Sequence, residues 1–62
     1  MCWADNIKKL RTKLLVTQHE LANLLGVSYV SINRWENGVH EPTMKAKREL
    51  MRLFKENGIS VE

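Results

Sequence analysis

A chain of 62 residues is long enough for one compact core and too short for a second domain. Lysine and arginine outnumber aspartate and glutamate ten to seven, which favours polyanions as partners. No run approaches the ~20 consecutive apolar residues of a membrane span, and the N-terminus lacks the charged-then-apolar order of a secretory signal. We therefore expect a cytoplasmic protein with a single domain, residues 1–62, and no membrane partner.

Residues that could catalyse a reaction or hold a metal are few and scattered. Cys2 is the single cysteine, so neither an internal disulfide nor a cysteine-based zinc site can form. His19 and His40 have no cysteine, carboxylate or serine partner at a supporting spacing. The sequence therefore predicts a protein that is not an enzyme, with no cofactor, no metal and no evident small-molecule substrate.

The first helix is predicted from apolar residues that recur at helical rather than alternating spacing. It is expected to begin near Asp5, a good N-cap residue, and to carry Ile7, Leu10 and Leu14 on one stripe. With one proline and three glycines in the whole chain, this spacing is typical of an all-α bundle of short helices.

A second and a third helix follow closely around a glycine. Thr17 begins a capping box, which predicts a helix over about 18–25. Gly26 suits the left-handed backbone that ends a helix, and Ser28 offers the N-cap of a helix that continues to about Asn37. The two helices are thus joined by a sharp turn.

A fourth helix is predicted after Thr43, its N-cap residue. Ile59 is expected to fold back on the last turn of this helix as a hydrophobic contact. The apolar face of the helix carries Ala46, Leu50, Leu53 and Phe54, and the opposite stripe carries Lys45, Arg48, Arg52 and Lys55.

The segment 17–38 has the apolar pattern of two helices that cross steeply around a tight turn. The positions to be buried are Leu21, Ala22, Leu25, Val27, Ile32 and Trp35. The segment resembles the helix-turn-helix of the Cro and phage-repressor family, often called the XRE family. The most specific pieces are Thr17-Gln18, Leu21-Ala22, Gly26-Val27-Ser28 and Trp35-Glu36-Asn37-Gly38, within a match over roughly 7–54. The resemblance implies a lambda-repressor-like fold of four short helices, or five, with its helix-turn-helix core at 17–38.

The outer face of the third helix is a candidate surface for reading bases. Arg34 can pair bidentately with guanine, Asn33 can hydrogen-bond a base edge, and Val30 can touch a thymine methyl group. The resemblance implies that the start of this helix reads DNA, although such a face is also what an ordinary solvated helix presents. The predicted base contacts are Ser28, Tyr29, Val30, Asn33 and Arg34.

Three residues are predicted to contact DNA phosphates. Gln18 lies in the first turn of the second helix, where unpaired amides favour an anion, and the resemblance assigns it a phosphate contact. Its other interpretation is a helix-capping glutamine. The resemblance suggests the same role for Asn37, which could instead serve the helix end, and for Lys45, which could instead be a solvated side chain.

Glu36 lies close to the buried side of the third helix, about 40° from Ile32 on the helical wheel, so its carboxylate needs a partner. The family commonly pairs an arginine of the first helix with this glutamate, and Arg11 stands at the matching position. The resemblance therefore implies a structural ion pair between Arg11 and Glu36, with a weak surface pair as the alternative.

Two functions are consistent with these features. The first is a sequence-specific transcriptional regulator of bacterial or phage origin, most simply a repressor, that binds double-stranded DNA, with a homodimer on inverted half-sites as its expected form. The second is a protein-interaction module on the same scaffold, such as an antitoxin-like or phage accessory factor.

In the family a fifth helix helps dimerisation, and this sequence ends at Glu62, before a full one. Four apolar residues near the C-terminus have two interpretations. Either they form an apolar patch through which two copies pair, or they pack in the core and tail of one copy. They are Met51, Phe54, Ile59 and Val61.

Overall fold

The computed structural model describes residues 2–61, and within that range the chain forms four α-helices joined by short connections. They are α1 (Trp3–Leu14), α2 (Gln18–Leu25), α3 (Tyr29–Glu36) and α4 (Met44–Glu56). The predicted all-α fold is confirmed, with α2 and α3 as the two helices around the glycine turn. No helix in the described range is long and apolar enough to span a membrane.

Three of the helices begin with the hydroxyl caps that the sequence predicts. The side chains of Thr17, Ser28 and Thr43 each accept a hydrogen bond from the backbone N–H three residues later. At the start of α2 the bond is reciprocal, because Glu20 Oε1 also accepts from the Thr17 N–H at 2.9 Å. The capping box is therefore present, and it fixes where α2 begins.

The start of α1 differs from the prediction. The helix begins at Trp3 rather than near Asp5. Asp5 lies inside the first turn, where its negative charge interacts favourably with the positive end of the helix dipole. The reason is tertiary, because Trp3 packs against the ring of Phe54, with 6.0 Å between ring centroids. The Nζ of Lys47 also lies 5.4 Å from the centroid of the Trp3 ring. These contacts extend the helix by a half turn.

All four helices end in the same way. A residue with left-handed backbone follows the helix, and the next N–H donates to the carbonyl five residues earlier, which satisfies a carbonyl that the helix leaves unpaired. The left-handed residues are Leu15, Gly26, Gly38 and Gly58, with φ of 57°, 69°, 74° and 70°. The apolar residues that follow them are Val16, Val27, Val39 and Ile59. Leu15 is the one non-glycine residue with positive φ among residues 2–61.

The core lies where α1 packs against α3 and α4 and where α2 packs against α3. Ala22 is buried, and its small side chain lets α2 and α3 approach closely. Of the positions predicted to be buried in segment 17–38, four are buried and two, Leu25 and Val27, are partly buried against them. The fully buried large side chains are Ile7, Leu10, Leu21, Ile32, Leu50 and Phe54.

The C-terminal segment packs on the bundle. Phe54 and Ile59 are buried, and Met51 and Val61 are partly buried against the same core, as the core-and-tail alternative predicts. Asn6 ties this segment to α1, because its Nδ2 donates to the Ser60 carbonyl at 2.9 Å. The predicted tail continues to Glu62, which lies outside the described residues.

The left-handed position of Leu15 makes a test of these helix ends possible. Its side chain is 88% exposed, so Leu15→Gly removes backbone strain and loses little buried surface. We expect the free energy of unfolding to rise by about 0.5–1 kcal/mol, which is the strain relieved less the extra entropy that glycine gives the unfolded chain. Urea denaturation followed by circular dichroism measures it.

The matched control makes the opposite change at the equivalent position of α2. Gly26 has φ of 69° and no atom within 4 Å of where a Cβ would lie, so Gly26→Ala adds strain without a clash. Stability should fall by about 0.5–1 kcal/mol. A loss of stability in Leu15→Gly would show that the Leu15 side chain, and not its backbone, is what matters at this end.

Candidate nucleic-acid interface

Helix α3 has a buried side and an exposed side, as its sequence predicts. Ile32 and Trp35 are buried against α1 and α2. Tyr29 is 39% exposed and Val30 is 50% exposed, and Arg34 is exposed on the following turn. Since the buried side is held in the core, the exposed side is presented on a fixed element rather than on a loop.

Ser28 stands at the start of α3 with its hydroxyl already engaged. The hydroxyl accepts from the Ser31 N–H at 3.2 Å and lies 3.1 Å from the Ser31 hydroxyl. Ser28 is exposed. It stands four residues before the buried Ile32, a spacing that would put it near the core side in a helix, but as the cap it has extended backbone.

A chain of amide side chains runs along α3 and across to α2. Gln18 Oε1 accepts from Asn33 Nδ2 at 3.4 Å, and Asn33 Oδ1 accepts from Asn37 Nδ2 at 3.1 Å. Asn33 is half-buried, and Asn37 is exposed after the last turn of the helix. The structure therefore brings together three of the residues that the sequence nominates, one base candidate and two phosphate candidates.

The carboxylate of Glu36 lies at the inner end of this chain. Arg11 Nε donates to Glu36 Oε2 at 2.6 Å, and Arg11 Nη2 donates to Oε1 at 2.8 Å, so the pair is bidentate. Gln18 Nε2 also donates to Oε1, at 3.2 Å. The side chain of Glu36 is 3% exposed and that of Arg11 is 28% exposed. The hydrogen bond to Glu36 raises the pKa of Arg11 above its ordinary value.

The side chain of Gln18 is held by two hydrogen bonds and does not cap the helix. Its amide nitrogen donates to a buried carboxylate, and its amide oxygen accepts from Asn33. The cap of α2 belongs to Thr17 instead. Gln18 remains half-buried, and it connects the ion pair of the core to the outer face of α3.

Lys45 lies beside the turn that joins α2 and α3. The side chain is exposed in the first turn of α4, and it lines a small depression together with Gly26 and Val27. A cation at this place is close to the start of α3. The other residues that line the depression are Leu25, Thr43, Ala46 and Glu49.

Two basic residues outside the Arg11 ion pair are neutralised by neighbouring carboxylates. Lys47 contacts Glu41 at 2.8 Å, and Arg52 contacts both Glu49 and Glu56, at 2.9 and 3.0 Å. The two carboxylates raise the pKa of Arg52. By contrast, Arg34 forms no ion pair with any residue between 2 and 61, so its guanidinium is available to an incoming anion or base.

A contact between His19 and Tyr29 could not be seen in the sequence. The two rings are stacked, with 4.1 Å between centroids and 6° between planes. His19 is the second residue of α2 and Tyr29 is the first residue of α3. Both are exposed. No periodicity within one helix predicts the contact, because it depends on how α2 and α3 cross.

The histidine, cysteine and acidic side chains of residues 2–61 are scattered rather than gathered at one place. Over the described range 2–61, no three histidine, cysteine, aspartate or glutamate side chains come close enough together to hold a metal ion. His40 is exposed in the connection before α4, whereas His19 belongs to α2.

Comparison with protein families identifies the arrangement of α2 and α3. A family model described as helix-turn-helix matches residues 7–60, which is most of the chain. No match to this chain was found among curated proteins, and none among solved structures. The matched stretch begins inside α1 and includes the whole of α2, α3 and α4.

Removal of Arg11 tests how far the site depends on its ion pair. In Arg11→Ala the buried carboxylate of Glu36 loses its main partner, and stability should fall by about 3 kcal/mol. That is a large part of the ~3–9 kcal/mol expected for a chain of this size. Thermal and urea denaturation measure the loss. The matched control is Arg52→Ala, whose carboxylate contacts are exposed, and it should stay close to wild type.

A second variant separates the lost partner from the lost side chain. Arg11→Met combined with Glu36→Leu removes both charges, so no unpaired carboxylate stays buried, and it should be more stable than Arg11→Ala. If Arg11→Ala melts like wild type, the pair is only a weak surface contact.

Proposed function

Because the chain belongs to the Cro and phage-repressor (XRE) family of helix-turn-helix proteins and is thus a DNA-binding protein, we propose that it is a sequence-specific transcriptional regulator that places α3 in the major groove. The observation that carries the proposal is the exposed face of α3, which is backed by a buried face and by the ion pair of Arg11 and Glu36. A helix fixed in this way can enter a groove without rearrangement.

Base reading is assigned to residues on the outer side of α3, at its start and middle. Arg34 is the strongest candidate, because its guanidinium is exposed and can donate two hydrogen bonds to the O6 and N7 atoms of guanine. Val30 supplies an apolar contact for a thymine methyl group. Tyr29, Asn33 and Ser28 complete the set, with the Ser28 hydroxyl shared with its capping role.

Phosphate binding is assigned to residues that flank α3. Gln18 lies at the N-terminus of α2, where free backbone N–H groups favour an anion. Asn37 follows the last turn of α3, and Lys45 lies beside the turn between α2 and α3. These contacts fix the register of the helix on the duplex and carry no sequence information directly.

One such domain is expected to bind weakly by itself. It would neutralise only ~3 or 4 phosphates, and its affinity would fall with salt with a slope of about −0.9 for each. We therefore propose that two copies act together on inverted half-sites about one helical turn apart. Size-exclusion chromatography with light scattering, with and without duplex, reports whether they pair before or on DNA.

Repression is the mode of regulation that this domain can perform with the fewest additional parts. A protein that occupies an operator blocks polymerase by its presence alone, whereas activation needs a second surface that contacts polymerase. The residues assigned above all serve occupancy. We therefore propose a repressor and treat the domain, residues 1–62 with its helix-turn-helix core at 17–38, as a single functional unit.

Selection from a pool of random duplexes tests whether the protein reads sequence. Wild type should enrich a shared motif with inverted half-sites. Arg34→Ala should lose ~1–3 kcal/mol of preference at one base pair of each half-site, because one bidentate contact is removed. Binding to the selected duplex and to its single-base-pair variants measures the loss.

The matched control removes an equal charge elsewhere. Arg52→Ala changes the net charge by the same amount, but Arg52 lies on α4 between Glu49 and Glu56, so the base preference should be unaltered. Equal weakening of Arg34→Ala on all sequences would make Arg34 a backbone contact. No enrichment by wild type would argue for a protein-interaction module instead.

Lys45 and Lys55 form a second matched pair, at the first turn and the last turn of α4. Lys45→Ala should weaken binding to all duplexes alike and lower the salt slope by about 1, because one phosphate contact is lost. Lys55→Ala should leave the slope unchanged. Titration of labelled duplex at several salt concentrations measures both slopes, and identical slopes for the two variants would remove Lys45 from the interface.

A further inference from the structure

The stacked pair of His19 and Tyr29 lies at the edge of the proposed interface. Its centroid separation of 4.1 Å and interplanar angle of 6° describe two rings in face-to-face contact. The pair joins the first turn of α2 to the first residue of α3. Gln18, a proposed phosphate contact, precedes His19 directly, and Val30, a proposed base contact, follows Tyr29 directly.

We propose that His19 is a positioning residue that holds the Tyr29 ring in one orientation for base reading, and that it thereby helps to set the sequence preference. The proposal rests on the proposed function, because it assumes that Tyr29 faces a base. It adds a residue from outside α3 to the determinants of specificity.

An exposed tyrosine without a neighbour would be free to turn about its two side-chain torsions. Tyr29 is at the first position of α3, where no preceding helical turn restricts it. Binding would then have to order the side chain, which lowers affinity and blurs the difference between a correct and an incorrect base. Contact with a fixed ring removes that cost before DNA arrives.

The imidazole of His19 is a suitable platform because its own backbone is fixed. It lies inside the capping box, between Thr17 and Glu20, whose reciprocal hydrogen bonds define the first turn of α2. The next residues of the same helix, Leu21 and Ala22, are buried in the core. The ring thus projects from a rigid part of the molecule.

The stack also limits how Tyr29 can meet a base. One face of the phenol ring is covered by the imidazole, so only the hydroxyl, the ring edge and the opposite face are left for contact. These groups can hydrogen-bond a base edge or pack on a thymine methyl group. Replacement of His19 should therefore weaken discrimination at one base pair, rather than affinity in general.

A direct phosphate contact is the competing role for His19, since it follows Gln18 near the N-terminus of α2. Phenylalanine separates the two roles. His19→Phe keeps a flat ring that can stack on Tyr29 and removes the ring N–H donors, whereas His19→Ala removes both. Tyr29→Ala and the double variant His19→Ala/Tyr29→Ala complete a cycle that isolates the coupling of the two residues.

The experiment measures binding of these variants to the duplex selected by wild type, to its single-base-pair variants and to random-sequence duplex. We expect His19→Ala to lose about three- to tenfold of discrimination at one base pair, in line with the strength of aromatic pairing. Its affinity for random-sequence duplex and its melting temperature should stay at the wild-type level. His19→Phe should restore the discrimination, and His19→Ala should have no further effect in the Tyr29→Ala background.

Proton NMR of the free protein provides a readout that does not involve DNA. A ring stacked on Tyr29 shifts the His19 ring protons upfield, and Tyr29→Ala should abolish that shift. Absence of the shift in wild type overturns the proposal, whatever the DNA results are.

Three binding results would also overturn the positioning role. One is wild-type discrimination in His19→Ala, and another is an equal effect of His19→Ala with and without Tyr29. The third is uniform weakening of both His19→Ala and His19→Phe with a lower salt slope, which would make His19 a phosphate contact. If instead wild type shows no sequence preference, the proposed function itself fails, and the NMR shift then reports a stack that has no role in base reading.

Discussion

The buried carboxylate of Glu36 joins three of the four helices that the structure describes. Glu36 lies at the last turn of α3, and its two oxygens receive three hydrogen bonds, two from Arg11 of α1 and one from Gln18 of α2. Burial of Ile32 and Trp35 decides which side of α3 faces the core. The bidentate ion pair is directional, so it adds a defined orientation at the last turn of the helix.

The side chains on the outer face of α3 are held in place to different degrees. Asn33 is connected through Gln18 to the buried carboxylate, and Tyr29 is stacked on a ring of α2. Val30 and Arg34 are exposed. The face therefore combines side chains that are held in place before binding with side chains that can adjust to a duplex. A surface of this kind suits sequence reading, in which some contacts select and others adapt.

The connections between helices are short because each helix ends in a hydrogen-bonded turn of its own backbone. The same left-handed ending follows α1, α2, α3 and α4, and the apolar residue after it packs toward the core in three of the four cases. Val39 is the exception and is exposed. Because α2 ends in this way, the turn between α2 and α3 is only three residues long. The short turn holds the two helices close together, so Gln18 and His19 contact side chains of α3.

The sequence by itself determined the elements with local causes: the caps at Thr17, Ser28 and Thr43, the glycine ends, the extent of α2 and the buried face of α3. These depend on residues three to five positions apart, which a linear pattern records. The family resemblance supplied Arg11 as the partner for Glu36. Only the tertiary structure decided the early start of α1 at Trp3, the link from Gln18 to Asn33, and the stack of His19 on Tyr29. Each of these joins residues on different helices, and the crossing of helices is set by packing of the whole core rather than by any local run of residues.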